Sequence, residues 1–426
     1  MNNKRLLYAV LGVFFFSIIV LVWYFYYAKP AIAPSLSETN NPIPTSVEPS
    51  RFHFLTWGEN VKSTSTTEVT DPSKDPLVEI WNKGAVGQTF ITVDVLKEVT
   101  ATTTVGTSTV EIKKTVRASS TVVLFVDTVT GYVYGYPIET GEVYQISNTI
   151  VPGVYDAHFF NNGKNVVIQY VDSEKNQTGA LVATLPSVPE GGGALPFIST
   201  TYLPSGVTSV AVNKRNDRVS YAVQTGSGTT FYTLSPSGTT VTASSPFREW
   251  QISYGGETLY ATSKASAYIP GVTATLPSFD LVVDNRTGLL SLPSNSGDIV
   301  SSMWSNQGLV TFLTNASGAH VLPLTTLASK CAWGNNDFLV CAKPRTLPKE
   351  VEGLPDDWYQ GEAHFVDDIV QIDKNTGEVF PYYTFSQNDG LFDVKNIVTS
   401  SSNDLLMFNN KTGGTLWLIN TNLLGD

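Results

Sequence analysis

The sequence predicts an all-β fold, a β-propeller of seven four-stranded blades, preceded by one N-terminal transmembrane helix. Three observations predict it. One style of hairpin recurs six times, a second style follows it in several units, and an uncharged apolar run stands alone near the N-terminus. Composition agrees with the β assignment. Only 15% of the 426 residues are charged, and Ser, Thr, Asn, Gly and Pro fill the difference. Thr suits strands, and Gly, Pro, Asn and Ser suit turns. An aromatic content of 11% is ample for a packed core.

The apolar run is Leu6–Tyr27, 22 residues without a charge. At ~1.5 Å per residue it reaches ~33 Å, enough to span a hydrocarbon core of ~30 Å. Lys4 and Arg5 precede it and Lys29 follows, so the positive-inside rule puts the N-terminus in the cytoplasm and the rest outside. Trp23, Tyr24, Tyr26 and Tyr27 supply an interfacial aromatic belt. A cleaved signal peptide is the rival reading. Its apolar region is normally ~7–15 residues, and Pro34 would follow directly on the Ala31-Ile32-Ala33 site, where proline blocks cleavage. The expectation is an uncleaved anchor over 1–28, in the cell membrane as a single pass. Residues 29–76 then read as a Pro/Ser/Thr-rich linker, and 77–426 as the extracytoplasmic propeller.

Within 77–426 the first hairpin style is an apolar strand, a short Asn/Gly/Asp turn and a second, more apolar strand. Its copies include HFFNNGKNVVIQYV (158–171), AVNKRNDRVSYAV (211–223), SMWSNQGLVTFL (302–313) and CAWGNNDFLVCA (331–342). The second style has a turn ending in Gly, as in YPIETGEVYQI (136–146), VVDNRTGLLSL (282–292) and QIDKNTGEVFPY (371–382). Together they make A-B and C-D pairs, a four-stranded unit of ~40–50 residues, which is a propeller blade. The units lie near 88–148, 151–198, 206–243, 246–295, 298–325, 328–385 and 390–421, with the outer strand of the fifth in doubt. Six or eight blades and a β-sandwich are the alternatives. Val78–Trp81 is expected to close the ring as the outer strand of the last blade, because an open ring leaves edges that aggregate.

These hairpins resemble the WD40-like repeats of the TolB-type propeller superfamily. ISNTIVPGVYDA (146–157), KCAWGNNDFLVCAKP (330–344) and LPDDWYQGEAHFVDDIVQID (354–373) resemble membrane-anchored propeller proteins of bacterial candidate phyla. The resemblance implies an anchor, a linker and a propeller, and it implies no activity.

Function is less legible. A net charge of −11 repels phosphate backbones, so nucleic acid is not an expected partner. The four histidines, His53, His158, His320 and His364, form no HxxxH or HExxH pattern, and no GxSxG elbow or phosphate loop occurs. No cofactor or metal is therefore expected. The distinctive segment is an insertion in the sixth unit, Lys343–Asp368. Its Asp356, Asp357, Trp358, Tyr359 and Gln360 are the candidate ligand-binding residues, because insertions between blade strands lie on one face and Trp and Tyr are frequent interface anchors. The competing reading is that Trp358 and Tyr359 pin the insertion to the disc. A calcium site is disfavoured, since the acidic residues lack D-x-D-x-D-G spacing. The expected role is a protein- or glycan-binding module of the cell envelope. The alternative is a propeller hydrolase acting on envelope polymers, which requires several carboxylates converging from different blades.

Cys331 and Cys341 lie on the two strands of one hairpin. A three-residue loop, Asn335–Asp337, pairs them directly and predicts a disulfide. A two-residue loop would pair Cys331 with Val340 and put Cys341 on the other face.

Overall fold

The computed structural model describes residues 75–105, 108–173, 177–187, 193–348 and 351–424. The expected anchor over 1–28, and the expected linker up to residue 74, lie outside them. Among the described residues no helix is long and apolar enough to cross a membrane.

Seven four-stranded antiparallel sheets form the blades of a propeller. Their strands, called A to D from the inside out, run as follows. Blade 1 has Ala85–Val105, Ser108–Asp127, Val133–Pro137 and Tyr144–Gln145. Blade 2 has Val154–Phe160, Asn165–Asp172, Gln177–Thr184 and Ser199–Tyr202. Blade 3 has Val207–Val212, Val219–Thr225, Gly228–Ser235 and Gly238–Ser245. Blade 4 has Trp250–Gly255, Thr258–Ser263, Pro270–Leu276 and Asp280–Thr287. Blade 5 has Leu290–Pro293, Ile299–Ser305, Gly308–Asn315 and Gly318–Val321. Blade 6 has Cys331–Trp333, Leu339–Pro344, Asp367–Ile372 and Val379–Tyr383. Blade 7 has Val394–Thr399, Leu405–Asn410 and Leu416–Asn420, and its outer strand is Leu77–Trp81. The last pairing, Leu77↔Ile419 and Val78↔Leu418, closes the ring as the sequence predicts.

The B strands explain why the second strand of each hairpin is the more apolar. Each is buried on both faces, so successive side chains serve different neighbours. In blade 1, Val122 and Leu124 pack toward blade 2, while Val123 and Phe125 pack toward blade 7. In blade 6, Leu339 and Cys341 face blade 5, while Val340 and Ala342 face blade 7. In blade 7, Leu406 and Phe408 face blade 6, and Leu405 and Met407 face blade 1. Each large side chain buried this way contributes ~1.5–3 kcal/mol.

Two features differ from expectation. VVDNRTGLLSL is not a C-D hairpin. Asp280–Thr287 ends blade 4 and Leu290–Pro293 begins blade 5. Gly288, at φ +63°, turns the chain from one blade to the next, and a Cβ there would lie 2.4 Å from the Leu354 carbonyl oxygen. The hairpin in 302–313 is therefore the B-C pair of blade 5, and its outer strand is the fully exposed Gly318–Val321. In blade 1, strands A and B stay paired out to Val105↔Ser108, whereas strand C covers only Val122–Val126. The excess is a ribbon reaching ~40 Å beyond the blade at ~3.3 Å per residue.

Antiparallel order gives the disc two faces. One carries the A-B and C-D turns, and the other the B-C turns and D-A connections. The ribbon of blade 1 projects from the A-B face. Leu77, where the chain enters, is at that face too, because strand D of blade 7 runs antiparallel to Leu416–Asn420. The blade 6 insertion joins strands B and C, so it lies on the B-C face.

Candidate functional site

The insertion carries a short helix, Asp356–Gln360, ended by Gly361 in the left-handed conformation (φ 84°). Asp357 is buried, and its Oδ2 accepts hydrogen bonds from the Glu352 and Gly353 amides at 2.7 and 2.9 Å. Trp358 is 4% exposed. Its Nε1 donates to both carboxylate oxygens of Asp393 at 3.0 Å. Asp393 also takes Lys330 Nζ at 2.5 Å, and the same ammonium reaches Asp367 Oδ2 at 2.8 Å. Lys330 lies 5.0 Å from the centre of the Trp358 ring and 4.8 Å from that of Phe365. Lys411 lies 4.7 Å from the Trp358 ring centre and donates to the Trp358 carbonyl. Trp358 is thus a buried support held between two cations and a carboxylate, not a surface contact. Burial pushes the Asp367 carboxyl up to about 6 even though Lys330 opposes it. One of its oxygens, Oδ1, is buried with no hydrogen-bond partner in the protein.

The other three candidates lie nearer the surface. Tyr359 is half-exposed and Gln360 is exposed. Asp356 Oδ2 accepts from the Ala267 amide at 2.5 Å and ties the insertion to the B-C loop of blade 4. That contact places Asp356 on the lining of a groove of about 920 Å³ between blades 3 and 4. Phe247, Trp250, Ile269, Val272, Phe279 and Leu281 line it, and Arg248, Glu249 and Lys264 join Asp356 around them. Phe247, Ile269, Leu281 and the neighbouring Tyr268 are each 62–70% exposed. Lys264 and Glu249 pair with each other at 3.2 Å, so much of the local charge is already matched. Sequence reasoning missed the groove, because its walls come from separate blades.

A second cavity, about 380 Å³, opens on the A-B face among residues of blades 1, 2, 5, 6 and 7. Among the described residues a single carboxylate lines it, Asp404. Burial alone would raise that carboxyl, but hydrogen bonds from Ser402, Asn422 and Ser400 hold it below the usual range. Further along the inner strands, His158 Nε2 lies 3.2 Å from Asp156 Oδ2. Burial would lower the imidazole pKa, yet the Asp156 carboxylate holds it above its ordinary value. Burial likewise disfavours the Asp156 anion, and His158 and Lys395 more than offset that. The several converging carboxylates that a hydrolase needs are not assembled in this cavity among the described residues. Nor is there, among them, a group of three His, Cys, Asp or Glu able to hold a metal ion.

Cys331 pairs with Cys341 in register, and their sulfurs are joined at 2.03 Å with Cα atoms 3.9 Å apart. The loop is Asn335–Asp337, with Asn336 and Asp337 at φ 55° and 56°, and the Gly334 amide donates to the Phe338 carbonyl at 2.6 Å.

These sites sit on a protein of the β-propeller class. No family model matches the chain, and no curated protein is similar to it. Among solved structures it is similar to the propeller domain of the Trilobed protease from Pyrococcus furiosus, at 7% identity over 70% of this chain and 89% of that one, with a TM-score of 0.44. It is also similar to an uncharacterized protein from Listeria monocytogenes, at 12% identity, 70% and 90% coverage and a TM-score of 0.43. A third is an oligogalacturonate lyase from Vibrio parahaemolyticus, at 8% identity, 79% and 98% coverage and a TM-score of 0.45. At such identities the likeness is one of fold.

Proposed function

We propose that this chain is a membrane-tethered, extracytoplasmic binding module of the cell envelope, whose partner is a protein docked in the groove between blades 3 and 4. The groove carries the reading. Contiguous exposed apolar side chains with a polar rim mark protein interaction sites, and isolated exposed hydrophobic residues do not. Phe247, Tyr268 and Ile269 form such a patch beside Asp356 of the insertion. The tether is supported by the Leu6–Tyr27 run, by the basic residues before it and by the resemblance to anchored propellers. The chain enters the propeller at Leu77 on the A-B face, whereas Asp356 and the B-C loop of blade 4 lie on the B-C face.

The test is affinity capture of the full-length protein from membranes, comparing wild type with Ile269→Asp and Tyr268→Ser. Both positions are exposed, so the thermal midpoint should hold while one defined partner is lost. Capture of the same proteins by all three forms would overturn the assignment of the groove.

A further inference from the structure

We propose that the cavity on the A-B face is a second, independent site that binds one or two residues of a neutral glycan. Its volume of about 380 Å³ falls within the small-molecule range of roughly 300–1,000 Å³. The chemistry of its walls selects the class. No lysine, arginine or histidine lines it among the described residues, so no cationic side chain there favours a phosphate or a carboxylate. Its one carboxylate, Asp404, is already hydrogen-bonded to Ser400 and Asn422 at 2.8 Å each and to Ser402, so it is not free to hold a cation. What remains is hydroxyl and amide.

The polar groups divide into a fixed frame and a free set. In the frame, the A-B turns of blades 6 and 7 grip each other. The Asn335 amide donates to Asn403 Oδ1 at 3.1 Å, Asn403 Nδ2 returns a bond to the Asn335 carbonyl at 3.2 Å, and Asn335 Nδ2 reaches the Ser401 carbonyl at 2.7 Å. A Cβ on Gly334 would lie 2.3 Å from Asn403 Oδ1, so any other residue there would displace the Asn403 side chain from this bond. Trp333 is anchored by its Nε1 bond to the Leu292 carbonyl at 3.0 Å, with its ring packed against the core between blades 5 and 6. In the free set, the side chains of Thr92, Thr121, Thr399, Asn162 and Asn295 line the cavity and bond to no other described residue. Hydroxyls and amides both donate and accept, as sugar hydroxyls do.

The ribbon of blade 1 adds a second observation. Thr92 and Thr121 are cross-strand partners at its foot. Blade 1 replaces the tight A-B turn of its neighbours with two long strands on the one face that has this cavity. The cavity therefore opens beside the foot of the ribbon, at Thr92 and Thr121.

The test uses the full-length protein in detergent, titrated with cellobiose, maltose, N,N′-diacetylchitobiose and glucuronate and read by saturation-transfer-difference NMR. At least one neutral disaccharide should bind, and glucuronate should bind tenfold more weakly or not at all. The triple variant Thr92→Val, Thr121→Val, Asn295→Ala keeps strand shape and removes three free groups. It should weaken binding tenfold or more at an unchanged thermal midpoint. Three outcomes overturn the proposal: no neutral sugar binds at millimolar concentration, glucuronate binds at least as well, or the folded triple variant binds like wild type. None of them bears on protein capture by the groove, which is on the other side of the disc.

Discussion

Replacing Trp358 by Ala should cost stability heavily. The side chain is 4% exposed, so its removal opens a core cavity, at ~3–5 kcal/mol for a large aromatic. It also strips Asp393 of a bifurcated donor at 3.0 Å, and a lost hydrogen bond to a charged group costs ~1.5–3 kcal/mol. The two overlap, because relaxation around Lys330 and Phe365 fills part of the space, so the expected total is ~4–6 kcal/mol. For a propeller of about 350 residues, unfolding entropy near ~2.1 cal/mol/K per residue turns this into a fall of ~5–8 °C in thermal midpoint. Trp358→Phe keeps a ring in the core but loses the indole N–H and three ring atoms, so its fall should be at least ~2–4 °C and smaller than that of Trp358→Ala. Near-UV circular dichroism of the full-length protein during heating reads both. A shift under ~1.5 °C for Trp358→Ala would refute the reasoning and return Trp358 to the role of a surface contact.

Other consequences follow from the same cluster and from the hairpin of blade 6. Burial raises the Asp367 carboxyl to about 6, above the ~3.9 of an unfolded aspartate. The folded state therefore holds the proton more tightly. This group's stabilising contribution grows as pH falls from 6 toward 4 and is lost as pH rises through 6, with an amplitude of ~2–3 kcal/mol. The wild-type midpoint should gain between about pH 7.5 and pH 5 relative to Asp367→Asn, and parallel profiles would contradict this. Asp393→Ala should cost ~3–5 kcal/mol in urea unfolding, because Lys330 keeps only Asp367 and the Trp358 indole is orphaned. Alkylation of denatured, unreduced protein should label neither Cys331 nor Cys341. The short loop limits the bridge to ~2–3 kcal/mol, lost in the Cys331→Ala, Cys341→Ala double variant.

Much of the fold was legible because the propeller writes itself into local pattern. A strand flanked by two blades must be apolar on both faces, and that burial makes VVLFV, LVCA and LLMF stand out beside the half-exposed A strands. The closing strand Val78–Trp81 was legible from alternation instead, with Val78 and Ile80 buried and Glu79 exposed. The cysteine register followed from loop length, since Asn336 and Asp337 tolerate the left-handed conformation a three-residue loop requires. The boundary between blades 4 and 5 was not legible. Gly288 looks like any hairpin glycine, and what forces it between blades is tertiary, the Leu354 carbonyl and Trp304 pressed against it. The ribbon of blade 1 did leave a signal, the Val- and Thr-rich run of 93–116 around Gly106, which a blade-sized window cuts in two.

The candidate site was legible only in part. The insertion was placed correctly as a feature of one face, but composition cannot tell a Trp that anchors a partner from one that anchors its own loop. The decision rests on Lys330 and Asp393, separated by 63 residues and joined only by folding. Asp356 alone of the five leads to the groove, through a bond to Ala267, 89 residues away. The groove and the A-B cavity are each lined from several blades, so neither has a linear motif.

Docking of a protein partner on the groove can be tested in living cells. A photo-activatable cross-linking residue replaces Ile269 in the full-length chain, and another replaces Ile150 as a control. Ile150 is 66% exposed, on the D-A connection after blade 1. The account predicts one discrete membrane-associated adduct from position 269, abolished by Phe247→Ser, and none from position 150. Equal adducts from both positions, or no adduct from 269, would contradict it.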